Sequence, residues 1–274
     1  MVRPARFLIA LAPALVVPLT ARGDCAGVPG ADALLVPGRV VMLGEMHGTQ
    51  ESPAFVADLV CRAVEEGLAV RVGLEIAVEE RPALAAFLDS AGSEADREAL
   101  LSTPFWTRPY QDGRSSRAMA ALLASLRALR AAGGAVTVFP FSHENAGAGR
   151  DAAMARTIAE AVDRDEKALT LTLSGNLHSR TGPGSPWDPG FEPMGYLLAR
   201  ERPDLDLVSL DVRYAGGEAW ICTGAEVSSC GARPLGGTLA ESATCAVALA
   251  PEAAEGHDGS YCVGTLHASP PAAF

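Results

Sequence analysis

The sequence predicts an α/β fold: a mostly parallel sheet with helices on both faces, extended by a small C-terminal β-hairpin region braced by disulfides. Three observations carry this. Five strand-length apolar runs, residues 40–43, 68–74, 135–141, 168–173 and 205–210, alternate with stretches of helical periodicity. The runs are apolar almost without interruption, as expected when crossover helices cover both faces of a parallel sheet. After Ala215 the texture changes to short, Gly-punctuated segments that carry four of the six cysteines.

Residues 1–23 read as a signal peptide, with Arg3 and Arg6 ahead of the apolar stretch 7–19 and small residues Ala21 and Gly23 before the cleavage point. The apolar stretch is too short for a stable membrane span, and Arg22, Gly23 and Asp24 make a poor lipobox before Cys25. Residues 24–214 form the expected α/β domain and residues 215–274 a β appendix packed on it. The first helix is expected over 52–67, where Phe55, Val56, Leu59, Val60 and Val64 make a 3.6-period stripe closed by Gly67. Further helices are expected over 79–88, 93–101, 114–132, 150–162 and 191–200, and the longest closes on Gly133–Gly134. Two Cys-bearing hairpins then complete the chain.

Composition excludes several functions. The formal net charge of −11 becomes about −14 once the three leader arginines are removed, so no basic stripe exists for nucleic acid. Six cysteines in an exported chain imply disulfides, and nearness in sequence favours Cys222–Cys230 and Cys245–Cys262, which leaves Cys25 for Cys61. No C-x-x-C pair is present to suggest a zinc–thiolate site. Ser174 lacks the G-x-S-x-G frame of a serine hydrolase, and the Gly-rich 145–150 lacks a Walker lysine.

Each apolar run gives way to polar residues at its C-terminal end. Glu45 and His47 come after the first and Glu75 after the second; His143 and Glu144 succeed the third, Asn176 and His178 the fourth, and Asp211 and Arg213 the fifth. In a parallel sheet these C-terminal ends share one edge, where ligands bind. A single histidine past a strand is more often a loop residue or a satisfied hydrogen-bonder than a catalyst, and Glu75 alone could cap a helix; five such strand ends together point to a site. Two chemistries suit it. A carboxylate with two or three imidazoles (Glu45, His47, His143, His178) could hold Zn, Mn or Fe with an open position for water. Without metal, a histidine could take a proton from water while a glutamate holds its tautomer.

The stretches "LGEMHGTQES", "VGLEI", "GRDAAMARTIAEAV" and "SGNLHSR" together resemble the superfamily that includes erythromycin esterase, the haem-binding ChaN lipoprotein and the TIKI/TraB proteins. Glu45 and His47 match its first motif, Glu75 the second, Asn176 and His178 a later one, and Arg150 with Asp151 a helix start. The resemblance spans about residues 38 to 215, lies nearest to the secreted ChaN-like branch, and includes the aromatic segment holding Trp106 and Tyr110. It implies a secreted or periplasmic hydrolase, metal-dependent or not, acting on a small-molecule substrate. The expected catalytic residues are Glu45, His47, Glu75, His178 and Arg150, with Arg108, Trp106, Tyr110 and Asn176 against the substrate. The alternative it implies is a haem- or metal-binding protein of iron uptake without turnover, whose haem ligand would be one of Tyr110, Tyr196, Tyr214 or Tyr261.

Overall fold

The structure is a computed structural model that describes residue 25 and residues 27–239, 244–250 and 256–273. The expected leader 1–23 lies outside the described residues. Chain order gives β1 (Val40–Glu45), α1 (Glu51–Glu65), β2 (Val70–Ala77), α2 (Arg81–Asp89), α3 (Glu94–Leu101), α4 (Pro104–Thr107), α5 (Arg117–Ala131) and β3 (Val136–Ser142). Then come α6 (Arg150–Val162), β4 (Leu169–Gly175), α7 (Met194–Glu201), β5 (Leu207–Arg213), β6 (Gly217–Cys222), β7 (Cys230–Leu235), β8 (Val247–Leu249) and β9 (Gly259–Cys262).

Seven strands form one sheet in the order β3-β2-β4-β1-β5-β9-β8, parallel except for β8 at the edge. The chain steps outward from β1 to β2 and β3, then returns to lay β4 between β2 and β1 and β5 beyond β1. Crossovers keep one hand, so reversing direction moves the connecting helices to the opposite face. Two cores result. Val41 and Leu43 face Phe55, Leu59, Leu84 and Leu123 on the side of α1, α2 and α5. Val40 and Met42 face Met154, Ile158 and Leu198 on the side of α6 and α7. The near-continuous apolar strands of the sequence are thus buried on both faces.

Both Cys-bearing stretches of the C-terminal region form the expected antiparallel hairpins. The first Cys-bearing stretch forms the antiparallel pair β6–β7, a sheet of its own. The second does not stay separate: β9 pairs parallel with β5 and becomes part of the main sheet, carrying β8 with it. Disulfides join Cys25–Cys61, Cys222–Cys230 and Cys245–Cys262, the pairing that nearness in sequence favoured. Among the described residues no helix is long and apolar enough to cross a membrane.

Candidate active site

Because β4 lies between β1 and β2, the ends of these three strands deliver Glu45, His47, Glu75 and His178 to one place. Glu45 is the last residue of β1 and Glu75 lies within β2, so both carboxylates are held by sheet backbone and only 3% exposed. His47 Nδ1 is 2.8 Å from Glu45 Oε1, and its Nε2 is 3.4 Å from Glu75 Oε2. Glu75 is the hub. Its Oε2 accepts the Gly175 amide at 2.8 Å, and its Oε1 accepts Arg150 Nη2 at 2.6 Å and Arg114 Nη1 at 3.5 Å.

The second histidine is built differently. His178 Nδ1 is 2.7 Å from Asp151 Oδ1, which also accepts the Met194 amide at 2.9 Å. His178 Nε2 lies 3.2 Å from Arg150 Nη1. Since guanidinium only donates, that contact assigns an unprotonated Nε2 and a proton on Nδ1 shared with Asp151. The two imidazoles approach each other across Gly175, where a Cβ would stand 3.0 Å from His47 Nε2 and 3.7 Å from His178 Cδ2. Both rings remain about one-fifth exposed, so solvent reaches them.

Electrostatics separate the pair. Burial pulls the His47 pKa down, but the Glu75 charge and the hydrogen bonds His47 donates to Glu45 and Glu75 outweigh it and push it up to about 10. His47 is therefore an imidazolium at neutral pH. Burial would raise Glu75, yet the charge and hydrogen bond of His47, with Arg114, hold its carboxyl well below the usual range. A wider ring supports the hub: Arg114 bonds Asp112 at 2.7 Å and Glu144 at 2.6 Å, and Ser142 joins Arg150 to Glu144. Asp112 is pulled down to about 2 despite its burial, by Arg114 and then Arg108. Arg150 Nε is buried without a hydrogen-bond partner.

Several sequence expectations land elsewhere. His143 does not join the cluster; its Nε2 is 2.8 Å from Thr157 Oγ1 on α6, because β3 is the outermost parallel strand and its end turns toward that helix. Trp106 is fully buried in the core beside Phe105, since the one-turn α4 packs its apolar side inward, and it lines no opening. Arg108 lies over the Phe105 ring at 4.4 Å and bonds Asp112 and the Tyr110 carbonyl, which occupies it in holding its own loop. Tyr110, 37% exposed, donates its hydroxyl to the Gly224 carbonyl at 2.9 Å. Asn176 faces Asp211 at 3.4 Å, on the side away from Glu75.

Sequence reasoning missed Arg114 altogether, because the helix was expected to begin there. Ser116 caps that helix by accepting the Met119 amide, so Arg114 stays in the loop and turns inward. The Ser116 cap was the signal available. The role of Asp151 as the partner of His178 was missed as well, although an acid in the first turn of a helix after a strand marked it.

The donor set does not fit a divalent cation. Both nitrogens of His47 face carboxylates, and Arg114, Arg150 and the imidazolium already surround Glu75, so a metal would enter beside three positive charges. Among the described residues the one His/Cys/Asp/Glu trio with ligand atoms close enough is Cys25, Cys61 and Glu65, and its two sulfurs are bonded to each other.

A parallel sheet with β4 inserted between β1 and β2, ending in Glu and His side chains, is also the fold of a solved erythromycin esterase. No family model matches the chain, and no curated protein matches its sequence. Among solved structures, an erythromycin esterase EreC mutant in its open conformation superposes with a TM-score of 0.65 at 13% identity, covering 87% of this chain and 93% of that one. A succinoglycan biosynthesis protein matches with a TM-score of 0.50 at 11% identity over 74% of this chain and 72% of its own. The ChaN of Campylobacter jejuni, solved with cofacial haem, matches at 0.40 and 12% identity over 75% and 89%. At these identities the likeness is one of fold.

Proposed function

We propose that the chain is an exported, metal-independent hydrolase acting on an ester or lactone carbonyl of a small molecule. The observation that supports this best is the division of labour between two adjacent histidines: one neutral and oriented by Asp151, the other held cationic between Glu45 and Glu75. When Arg150 turns its Nη1 from His178 Nε2 to the substrate carbonyl oxygen, the freed imidazole nitrogen takes a proton from water as the water oxygen attacks the carbonyl carbon. Arg150, its guanidinium end partly exposed beside His178, donates to the developing oxyanion. His47 gives its Nε2 proton, the more loosely held at 3.4 Å from Glu75, to the leaving oxygen as the acyl C–O bond breaks, and the proton on His178 returns to His47 through solvent. Glu45 and Glu75 keep His47 charged, and Arg114 holds Glu75 in place. The resemblance of the fold to a protein named as an erythromycin esterase supports the same reaction class. The apolar leader and three disulfides support export to the periplasm or the medium.

A panel of esters, amides and lactones, run with wild type, His47→Ala and His178→Ala, tests the reading. Ester or lactone turnover lost in both variants is expected. Turnover that survives His178→Ala, or a wild type inert on the whole panel, overturns it. The haem reading would show instead as a Soret band on haem titration that a tyrosine substitution abolishes. Of the tyrosines near this edge, Tyr110 and Tyr261 spend their hydroxyls on the Gly224 and Gly44 carbonyls.

A further inference from the structure

The turn that carries His47 has one local closure, the Thr49 hydroxyl donating to the Met46 carbonyl at 3.0 Å. Gln50, the N-cap of helix α1, adds no side-chain cap. The other backbone partners of residues 48–50 come from the far end of the chain. The Gly48 carbonyl, one residue after His47, accepts two backbone amides, Trp220 of β6 at 2.9 Å and Ser269 at 2.7 Å. Gln50 donates its amide to the His267 carbonyl at 3.0 Å, and Thr49 bridges to Ala268. Gly48 has a φ of 71°, and a Cβ there would meet the Trp220 carbonyl oxygen at 2.1 Å, so the approach requires glycine.

The same hairpin grips the opposite wall. Trp220 Nε1 donates to the Gln111 carbonyl at 3.0 Å, and Tyr110 reaches the Gly224 carbonyl. That loop carries Asp112 and Arg114, the latter in contact with Glu75, and a Cβ at Gly113 would lie 2.5 Å from the Gly48 amide nitrogen. A lone two-stranded ribbon is marginal in water. Here Cys222 and Cys230 stand directly opposite in the register and are bonded, which fixes the ribbon in the form that holds both loops.

We propose that the disulfide-braced hairpin β6–β7, with the strap around residues 266–269, is a positioning element for His47 and Arg114. It holds the two active-site loops against each other through Gly48 and Trp220, and opening the Cys222–Cys230 bond loosens the site without unfolding the sheet. The inference rests on His47 belonging to the reactive centre.

The test uses the full chain with Cys222→Ser and Cys230→Ser combined, both other disulfides being kept. The readouts are the ring ¹H–¹⁵N resonances of His47, identified by their loss in His47→Gln, together with kcat, KM and thermal unfolding. Broadened or displaced His47 resonances are expected, with kcat reduced about tenfold or more, KM changed less, and most of the thermal stability retained. Gly48→Ala should give the same spectroscopic signature, since its Cβ displaces the Trp220 contact. Wild-type His47 resonances in a folded double variant overturn the proposal. If the double variant does not fold, Trp220→Phe, which removes only the bond to Gln111, decides by the same spectrum. The resonances need no substrate, so a chain that proves inert sinks the hydrolase reading while the spectrum still judges the clamp.

Discussion

Replacing Glu75 by glutamine removes one negative charge from a site where three cations converge on it. Arg150 lies at 2.6 Å, Arg114 at 3.5 Å and His47 at 3.4 Å from its carboxylate oxygens. The Gly175 amide can still donate to the glutamine carbonyl, so backbone geometry is preserved. The charge is lost, and the amide NH₂ now faces guanidinium. The rise of the His47 pKa from 6.5 to about 10 represents about 5 kcal/mol of preference for the imidazolium, with Glu75 its largest favourable source. Removing one partner of a buried ion pair costs about 3–5 kcal/mol. The expected outcome is a loss of about 3–5 kcal/mol in urea unfolding, a Tm lower by about 10 °C, and a His47 titration midpoint well below 10 by NMR. Glu45→Gln, which leaves the hub intact, should fall between wild type and Glu75→Gln in both measurements. A His47 midpoint still near 10 in Glu75→Gln, or a loss under about 1 kcal/mol, would refute the assignment of Glu75 as the hub.

The same geometry makes the stability depend on pH. Since His47 is raised in the folded state, its contribution to stability is complete below about pH 6.5 and is lost as pH rises through about 10, whereas Glu75 is lowered, so its contribution is present above its ordinary value of 4.5 and lost on acidification. Equilibrium unfolding across pH should therefore show a plateau from about pH 4.5 to 6.5 and a decline from there toward pH 10, and a profile flat or rising over that upper range contradicts the pairing. Asp151→Asn keeps an acceptor for the Met194 amide but removes the charge that orients His178, so kcat should fall about 100-fold or more with KM little changed. Gly175→Ala would push a methyl to 3.0 Å from His47 Nε2 and is expected to reduce kcat at least about tenfold while costing about 1–3 kcal/mol in stability. Cys25→Ser with Cys61→Ser opens a loop of sequence separation 36 and should cost about 4 kcal/mol in urea unfolding, with kcat at 25 °C unaltered.

Which residues form the layers is written in the chain itself. Strand 40–45 is legible because its first four positions, facing both sides, are apolar, and strand 169–175 because leucine alternates with small hydroxyl residues that are buried as well. The disulfide pairing was legible too, since short loops close most easily. Glu45, His47, Glu75 and His178 could be named because they end apolar runs, which is a property of local order in the chain.

Long-range packing settled which of these ends meet. The five strand ends look alike along the chain, but placing β4 between β1 and β2 brings His178 to Glu75 and leaves His143 at the outer strand, bonded to Thr157. No pattern along the chain records strand order, because it is set by the crossovers and by which helices can cover which face. Arg114 belongs to the same class: its role depends on a loop pressed against β2 from a distance of 39 residues. The charge of His47 is likewise a tertiary property, created by a carboxylate from another strand outweighing the cost of burial. The C-terminal segments, which read as an appendix, supply the two amides that close the His47 turn. Local chemistry chose the residues; tertiary packing chose their partners, because hydrogen bonds and charge act over a few ångströms in space whatever the separation along the chain.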